Sequence, residues 1–344
     1  MDVVIPSHNI KTLSSSLSAL AKVDKFLYIE FDPLEGLRLR SISCSKSSFC
    51  QFTFDVGFFE RCSSPPSSKL KRSGKRRRDK LTDDEDDDVE EKYLCRVLIR
   101  TIAAVLRGGR KGVQSLRIRS LGHESAYDGE KDDSSETSND RRMQLSFEFK
   151  IQSSGIMKVI HKIGVTDADA VVAVATRENC SEIVALPRVL LKMVEPVKSN
   201  EIAFIISDVN KKVSVTSFHY ADNSSNLVLS SSFSSALKTE TTMDSDEFDE
   251  FNYSDFNNET DVPDGVDKEV ALVFSCKEAK AMLQFCSQSS VDDELRVIVN
   301  FHWGGKPICF EVEGDAYKGE MILATVAHTL LSGVDLISNG SKRK

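Results

Sequence analysis

A chain of 344 residues, 40% hydrophobic and with a formal net charge of −8, is long enough for one large domain or two ordinary ones and can bury a sizeable core. Its eight cysteines form no C-x-x-C pair and its six histidines do not cluster near them, which argues for reduced thiols and against a zinc site. No basic-then-apolar leader opens the chain and no apolar run is long enough to cross a bilayer, so secretion and a membrane partner are not expected.

The first predicted element is a helix. Ile10, Leu13, Leu17 and Leu20 form an apolar stripe, and Lys11, Ser15, Ser18 and Lys22 lie on the opposite face. Strands follow at Phe26–Glu30, Leu37–Ser43 and Phe49–Phe54, with a turn at Asp32–Gly36 marked by its proline and glycine. Next comes "KLKRSGKRRRDKLTDDEDDDVEEK" (Lys69–Lys92), nine basic and nine acidic residues with net charge 0. Its basic half (Lys69, Lys71, Arg72, Lys75, Arg76, Arg77 and Arg78) reads as a nuclear import signal on a loop, placing the protein in the nucleus.

A second round repeats the plan. Tyr93–Val97 reads as a strand and Ile99–Arg107 as a short helix stopped by Gly108 and Gly109. Strands are predicted at Val113–Arg119, Met143–Lys150 and Ile156–Ile163, interrupted by Gly122–Arg142 with net charge −4. Thr166–Arg177 reads as a linker.

The third round has a strand at Glu182–Ala185 and a helix from Pro187 to Val194, opened at a position that tolerates proline. Strands follow at Glu201–Ser207, Lys212–His219 and Leu227–Ser232. Glu240–Lys268, net −10, reads as an acidic inserted loop carrying Phe248, Phe251, Tyr253 and Phe256. The fourth round has strand Glu269–Phe274, helix Lys277–Ser287 and strands Leu295–Phe301, Pro307–Glu313 and Gly319–Thr325. The three charged segments are too poor in aliphatics to order themselves, and without them the remaining 270 residues carry +6.

The fold class is therefore α+β: two domains, each of two helix-plus-antiparallel-sheet units, with the few helices on one side. Each helix carries basic residues on its non-core face: Lys11 and Lys22, Arg100 and Arg107, Arg188 and Lys192, Lys277 and Lys280. Such faces are often only solvated, but the same placement on four helices points to a shared anionic partner. His161 and His219 read as strand residues rather than ligands. Asp83–Asp88 lacks the spaced ligands and turn glycine of a calcium loop. No nucleophile elbow, phosphate loop or H-E-x-x-H occurs, so neither enzyme activity nor a metal or cofactor is expected.

Several segments resemble one family. "LSSSLSALAKVDKFLYIEFDPLEGLRLRSISCSKSSFCQFTFDVGFFE" (Leu13–Glu60), "RVLIRTIAAVLRG", "LPRVLLKMVEPV", "KKVSVTSFHY", "KEVALVFSCKEAKAMLQFCSQS" and "GGKPICFEVEGDAYKGEMILAT" are similar to the Rad-nine subunit of the nine-one-one checkpoint clamp, a relative of the PCNA sliding clamp. The resemblance implies the DNA-clamp fold. Domain one would span 1–165, with loop insertions at 69–92 and 122–142. A connector would span 166–177, and domain two 178–328, with an insertion at 240–268. A tail covers 329–344.

The resemblance also implies a heterotrimeric ring around double-stranded DNA, formed with Rad-one-like and Hus-one-like subunits. The eight basic residues would face phosphates. A clamp loader would place the ring, and repair enzymes and checkpoint proteins would dock on it, clients beneath the connector. By matching, Val113–Ser120 and Lys212–His219 would be the pairing edges, with Leu116, Ile118, Val213 and Val215 near the contacts. The family's long phosphorylated C-terminal tail has no counterpart before the chain's end at "SNGSKRK". Two rivals stay open: a homotrimeric replication clamp, and a nuclear acidic-loop interaction protein that never encircles DNA.

Overall fold

The computed structural model describes residues 1–63, 92–107, 112–121, 143–152, 155–218, 238–254, 256, 262, 268–289, 295–327 and 331. Most of Lys69–Lys92, all of Gly122–Arg142, Gly108, Gly109, His219 and the predicted strand Leu227–Ser232 lie outside them.

The chain begins with a strand that sequence reading did not anticipate, β1 (Asp2–Pro6); its run is short and ends in proline. Helix α1 (Ser7–Val23) follows, burying the predicted stripe of Ile10, Leu13, Leu17 and Leu20. Strands β2 (Phe26–Asp32), β3 (Gly36–Ile42) and β4 (Ser48–Phe54) are the predicted hairpin series, followed by the short β5 (Arg61–Ser63). The β2–β3 turn is held by Asp32, whose Oδ1 accepts from the amides of Leu34 (2.8 Å) and Glu35 (3.2 Å). Gly36 is required there: its φ is +96°, and a Cβ would lie 2.1 Å from the Phe54 carbonyl oxygen.

The remaining elements are β6 (Tyr93–Leu98), α2 (Ile99–Arg107), β7 (Val113–Leu121), β8 (Gln144–Gln152), β9 (Ile156–Gly164), β10 (Thr166–Asp167), β11 (Ser181–Ala185), α3 (Pro187–Val194), β12 (Glu201–Ser207), β13 (Lys212–Phe218), β14 (Glu240–Asp244), β15 (Glu250–Asn252), β16 (Glu269–Ser275), α4 (Cys276–Ser289), β17 (Val297–Phe301), β18 (Ile308–Gly314) and β19 (Tyr317–Leu323). All strand pairs are antiparallel. Among the described residues they form three sheets: β5-β1-β7-β8-β9, β10-β6-β2-β3-β4-β19-β18-β17-β11-β15, and β14-β13-β12-β16.

The sheets do not follow the four sequence rounds one by one. The ten-stranded sheet runs through both halves, because β4 pairs with β19 from Ser48–Leu323 to Phe54–Tyr317. The four helices pack side by side in the order α2–α1–α4–α3, against one face of the three sheets. One core joins all four helices to all three sheets. At its centre Phe52 of β4 meets Phe285 of α4 edge-on at 4.5 Å, so the two halves are packed as well as hydrogen-bonded together.

The acidic segment Glu240–Lys268 corrects the expectation of an inserted loop. It contributes β14 to the four-stranded sheet and β15 to the ten-stranded one. Phe248 and Phe256 are buried at 7% and 1% exposure, and Phe251 and Tyr253 pack on the core. Its aromatics are anchors: Phe256 stacks edge-on against Trp303 at 5.4 Å, and Tyr253 against Phe301 at 6.4 Å. The described carboxylates Glu240, Asp244, Asp246, Glu247, Asp249 and Glu250 are exposed, so counting charge hid the buried half of the pattern.

Candidate nucleic-acid interface and assembly edges

The four helices contain the eight predicted basic residues and a single acidic one, Glu278. Glu278 is buried and accepts a hydrogen bond from Ser275 Oγ at the start of α4. The helix layer therefore carries eight basic residues against one acid. Lys11, Lys22, Arg100, Arg107, Arg188, Lys192 and Lys277 are exposed. Their spacing follows from the helix: Arg100 and Arg107 are seven residues apart, and Arg188 and Lys192 four, while Ile102, Leu106, Leu190 and Met193 turn inward.

Several of these side chains, Arg188 included, have local partners. Arg107 Nε donates to the Ala103 carbonyl at 3.2 Å, and Lys277 Nζ lies 3.9 Å from Glu278 Oε1. Lys280 is a correction. It is half-buried, and its ammonium donates to the carbonyls of Val197 and, at 3.4 Å, Glu195. Those carbonyls lie just past the end of α3, so Lys280 ties α4 to the negative end of its neighbour instead of reaching outward. His8, exposed three residues before Lys11, shares the open face of α1; the same i, i+3 spacing could have found it.

The predicted pairing edges are also corrected. β7 lies between β1 and β8, and β13 between β12 and β14. Leu116, Ile118, Val213 and Val215 are core residues with 0%, 6%, 0% and 0% exposure. An interior strand has spent both rows of backbone groups and cannot pair with a neighbour. Among the described residues the edge strands are β5, β9, β10, β14, β15 and β16. On β9, Ile156 (68%), Met157 (49%) and Ile160 (52%) stand exposed, which a monomer would not need. Lys158 and Lys162 alternate with Ile156 and Ile160 on one face, while β14 presents Glu240, Thr242 and Asp244.

Behind β9, a charge ladder stiffens the sheet. Arg117 of β7 grips Asp2 of β1 through Nε (2.8 Å) and Nη2 (2.5 Å), and Glu148 of β8 pairs with Lys158 of β9 at 3.0 Å. Hydrogen bonding from Arg117 holds the Asp2 carboxyl below its ordinary value.

The predicted connector begins as β10, hydrogen-bonded to β6, and then crosses the outer face of the ten-stranded sheet. Val171, Ala173 and Ala175 pack on Phe49, Cys309 and Ile322, while Val172 (65%) and Val174 (89%) face outward. Burial pushes the Cys309 thiol up to about 12. Arg177 fastens the far end of the connector to Glu320 (2.5 Å) and Glu311 (3.2 Å). Beside the connector lies a cavity of about 530 Å³ whose walls combine Arg38, Arg40, Arg177, Glu311 and Glu320 with Val172 and Ile298. Among the described residues no group of three or more His, Cys, Asp or Glu side chains could hold a metal ion.

The comparisons agree on one architecture. The family model for Rad9 matches residues 13–326. The structure is similar to PCNA from Thermococcus kodakaraensis, with a TM-score of 0.59 and 13% identity over 94% of this chain and 99% of that one. It is similar to the PCNA2–PCNA3 complex of Sulfolobus tokodaii at 0.58 and 12% over 94% of this chain and 99% of that one. A third similar structure, A. fulgidus PCNA bound to the C-terminal region of FEN-1, gives 0.55 and 14% over 94% and 97%. With its helix layer, its three antiparallel sheets and a family match over nearly its whole length, the chain belongs to the Rad9 family and has the fold of a PCNA-type sliding-clamp subunit.

Proposed function

We propose that this chain is one of three different subunits of a nuclear ring that encircles double-stranded DNA at damage sites and serves as a platform for repair enzymes and checkpoint signalling. The observation that supports it best is the helix layer, in which eight basic residues accompany one buried acid. Such a surface neutralises phosphates without reading bases, and its grip weakens with salt. Weak contacts suffice, because a closed ring stays on DNA by topology. Two of the edge strands, β9 and β14, lie in different sheets of one chain, and head-to-tail pairing of unlike edges generates closed rings. Two further subunits, Rad-one-like and Hus-one-like, would supply the matching edges, and a clamp loader would open the ring around DNA. The connector would receive clients: of the PCNA structures above, one holds the C-terminal region of FEN-1.

Co-expression with the two partner subunits should give a one-to-one-to-one assembly by native mass spectrometry. A homotrimer, or no assembly, would overturn the reading. Reversing Lys11, Arg100 and Lys192 together to Glu should shorten retention of the assembled ring on nicked circular DNA and leave its mass unchanged. The ring is proposed to do no chemistry; metal-dependent DNA cleavage lost on one carboxylate substitution would contradict that. Deleting Lys69–Arg78 should shift a fluorescent fusion toward the cytoplasm while the ring still forms.

A further inference from the structure

The sheet that ends in β9 has one apolar face, with Ile5, Leu116, Phe147 and Phe149 in the core, and one charged face turned away from the helices. On the charged face Asp2 is already held by Arg117. Beyond that pair, from β7 to β9, the described residues set Arg119, Lys150, Lys158 and Lys162 around one carboxylate, Glu148. The chain as a whole carries a net charge of −8, so this positive excess is local.

Two features of this face are unfavourable on their own. Lys150 and Lys158 stand directly opposite each other in the register of β8 and β9, and like charges so placed repel. Glu148 Oε1 answers Lys158 at 3.0 Å, while Lys150 and Lys162 are exposed and form no ion pair among the described residues. Arg119 is under-used as well. Its Nε is buried without a hydrogen-bond partner among the described residues, and its Nη2 lies 3.7 Å from Glu148 Oε2, beyond hydrogen-bond reach. Leaving such a donor unmet is costly. The Arg119 side chain keeps 37% exposure, so an anion can reach the guanidinium from outside. Ser146, paired with Arg119 on one side and Lys162 on the other, is small and 2% exposed, and leaves a seat between these two long basic side chains. Their backbones are two strand spacings apart, about 10 Å, which one carboxylate can bridge. Between Lys158 and Lys162 on the same face, Ile160 stands exposed.

We propose that this outward face is a docking site for an extended acidic peptide segment of a partner protein, with the pattern acid-x-aliphatic-x-acid. Strand alternation sets that spacing: Lys158, Ile160 and Lys162 recur at every second residue, and an extended peptide presents its side chains with the same period. One carboxylate lies between Lys150 and Lys158 and relieves their repulsion. The other lies over Ser146, between Arg119 and Lys162. The aliphatic side chain covers Ile160. A duplex can offer phosphates to the lysines but has nothing to lay on Ile160, so the face fits a peptide better than DNA. The contacts are outward side chains. They use neither the helix layer nor the backbone groups along the edge of β9, so the site stands or falls independently of the ring.

The probe is a fluorescein-labelled peptide with the core Glu-Ser-Leu-Ser-Glu, titrated with the full chain and read by anisotropy. It should bind at low salt and more weakly as salt rises. Arg119→Gln with Lys162→Gln should weaken binding at least about tenfold. Lys150→Glu, which leaves Arg119 untouched, should also weaken binding while raising the melting temperature, because it turns a repulsive cross-strand pair into an attractive one. A lysine with a merely structural role would not move the two readouts in opposite directions. A probe with Lys in place of both Glu should not bind, and one with Ser in place of Leu should bind more weakly. The proposal is overturned if the native chain does not bind the probe, if the variants bind it as well as the native chain, or if the charge-swapped probe binds equally. It is also overturned if Arg119→Gln with Lys162→Gln weakens binding of a labelled DNA duplex and not of the peptide, which would make this a nucleic-acid surface. Zero-length carbodiimide cross-linking that joins Lys158 and Lys162 only to the chain's own acidic residues within 122–142 would overturn it as well, because the occupant would then not be a partner.

Discussion

Single side chains decide which parts of this surface are committed and which are available. Asp2 illustrates the committed kind: it is tied by two hydrogen bonds to Arg117, and its carboxyl titrates below the ordinary 3.8. For a depressed carboxyl the stabilisation is full above the unfolded value and is lost as pH falls through the folded one. Melting temperature should therefore fall below about pH 4 more steeply in the native chain than in Asp2→Asn, whose acid limb should be flatter. A matching slope in both would mean the Asp2–Arg117 pair contributes nothing. Lys280 is committed too, and sequence could not reveal that. Its helical position was read correctly, but the carbonyls of Glu195 and Val197 reach it from the end of another helix, more than eighty residues away in sequence. The other basic residues were legible because helix periodicity alone turns them from the core.

At the scale of elements, strand type was legible and strand neighbours were not. Alternation located Val113–Leu121 and Lys212–Phe218 closely, yet alternation says nothing about which strand lies beside which. Interior strands and edge strands with one buried face read alike, so alternation could not correct the family match that put Leu116 and Val213 near an interface. Leu116→Asp should unfold the chain, because it puts a charge into the core. Ile160→Asp on β9 should leave the melting temperature within a few degrees and disrupt pairing with a neighbouring subunit in gel filtration. Equal loss of folding in both would place β9 in the core as well. The acidic segment misled for a different reason: eleven acidic residues across Glu240–Lys268 outweighed four aromatics in a composition count. Phe256→Ala should cost about 3–5 kcal/mol in urea unfolding, the usual loss for a buried phenylalanine. A loss below about 1 kcal/mol, typical of surface sites, would restore the loop reading.

For the whole molecule, the repeated helix-and-strand plan was visible in sequence and the way the repeats share sheets was not. Periodicity is local, whereas the pairing of β4 with β19 joins the first round to the last. That seam has a consequence for synthesis. While the chain emerges from the ribosome, β4 has no neighbour on one side, because its partner is nearly the last strand made. Phe49, Cys50 and Phe52 then sit on an open strand for almost the whole translation time, and contacts this distant in sequence form slowly. Nascent chains stalled before Tyr317 should therefore be captured by chaperones and digested by protease, and resistance should appear only once Leu323 has cleared the exit tunnel. A ring subunit built this way becomes fully native only when finished, so a chain broken off early leaves no half-clamp able to compete for a place in the ring.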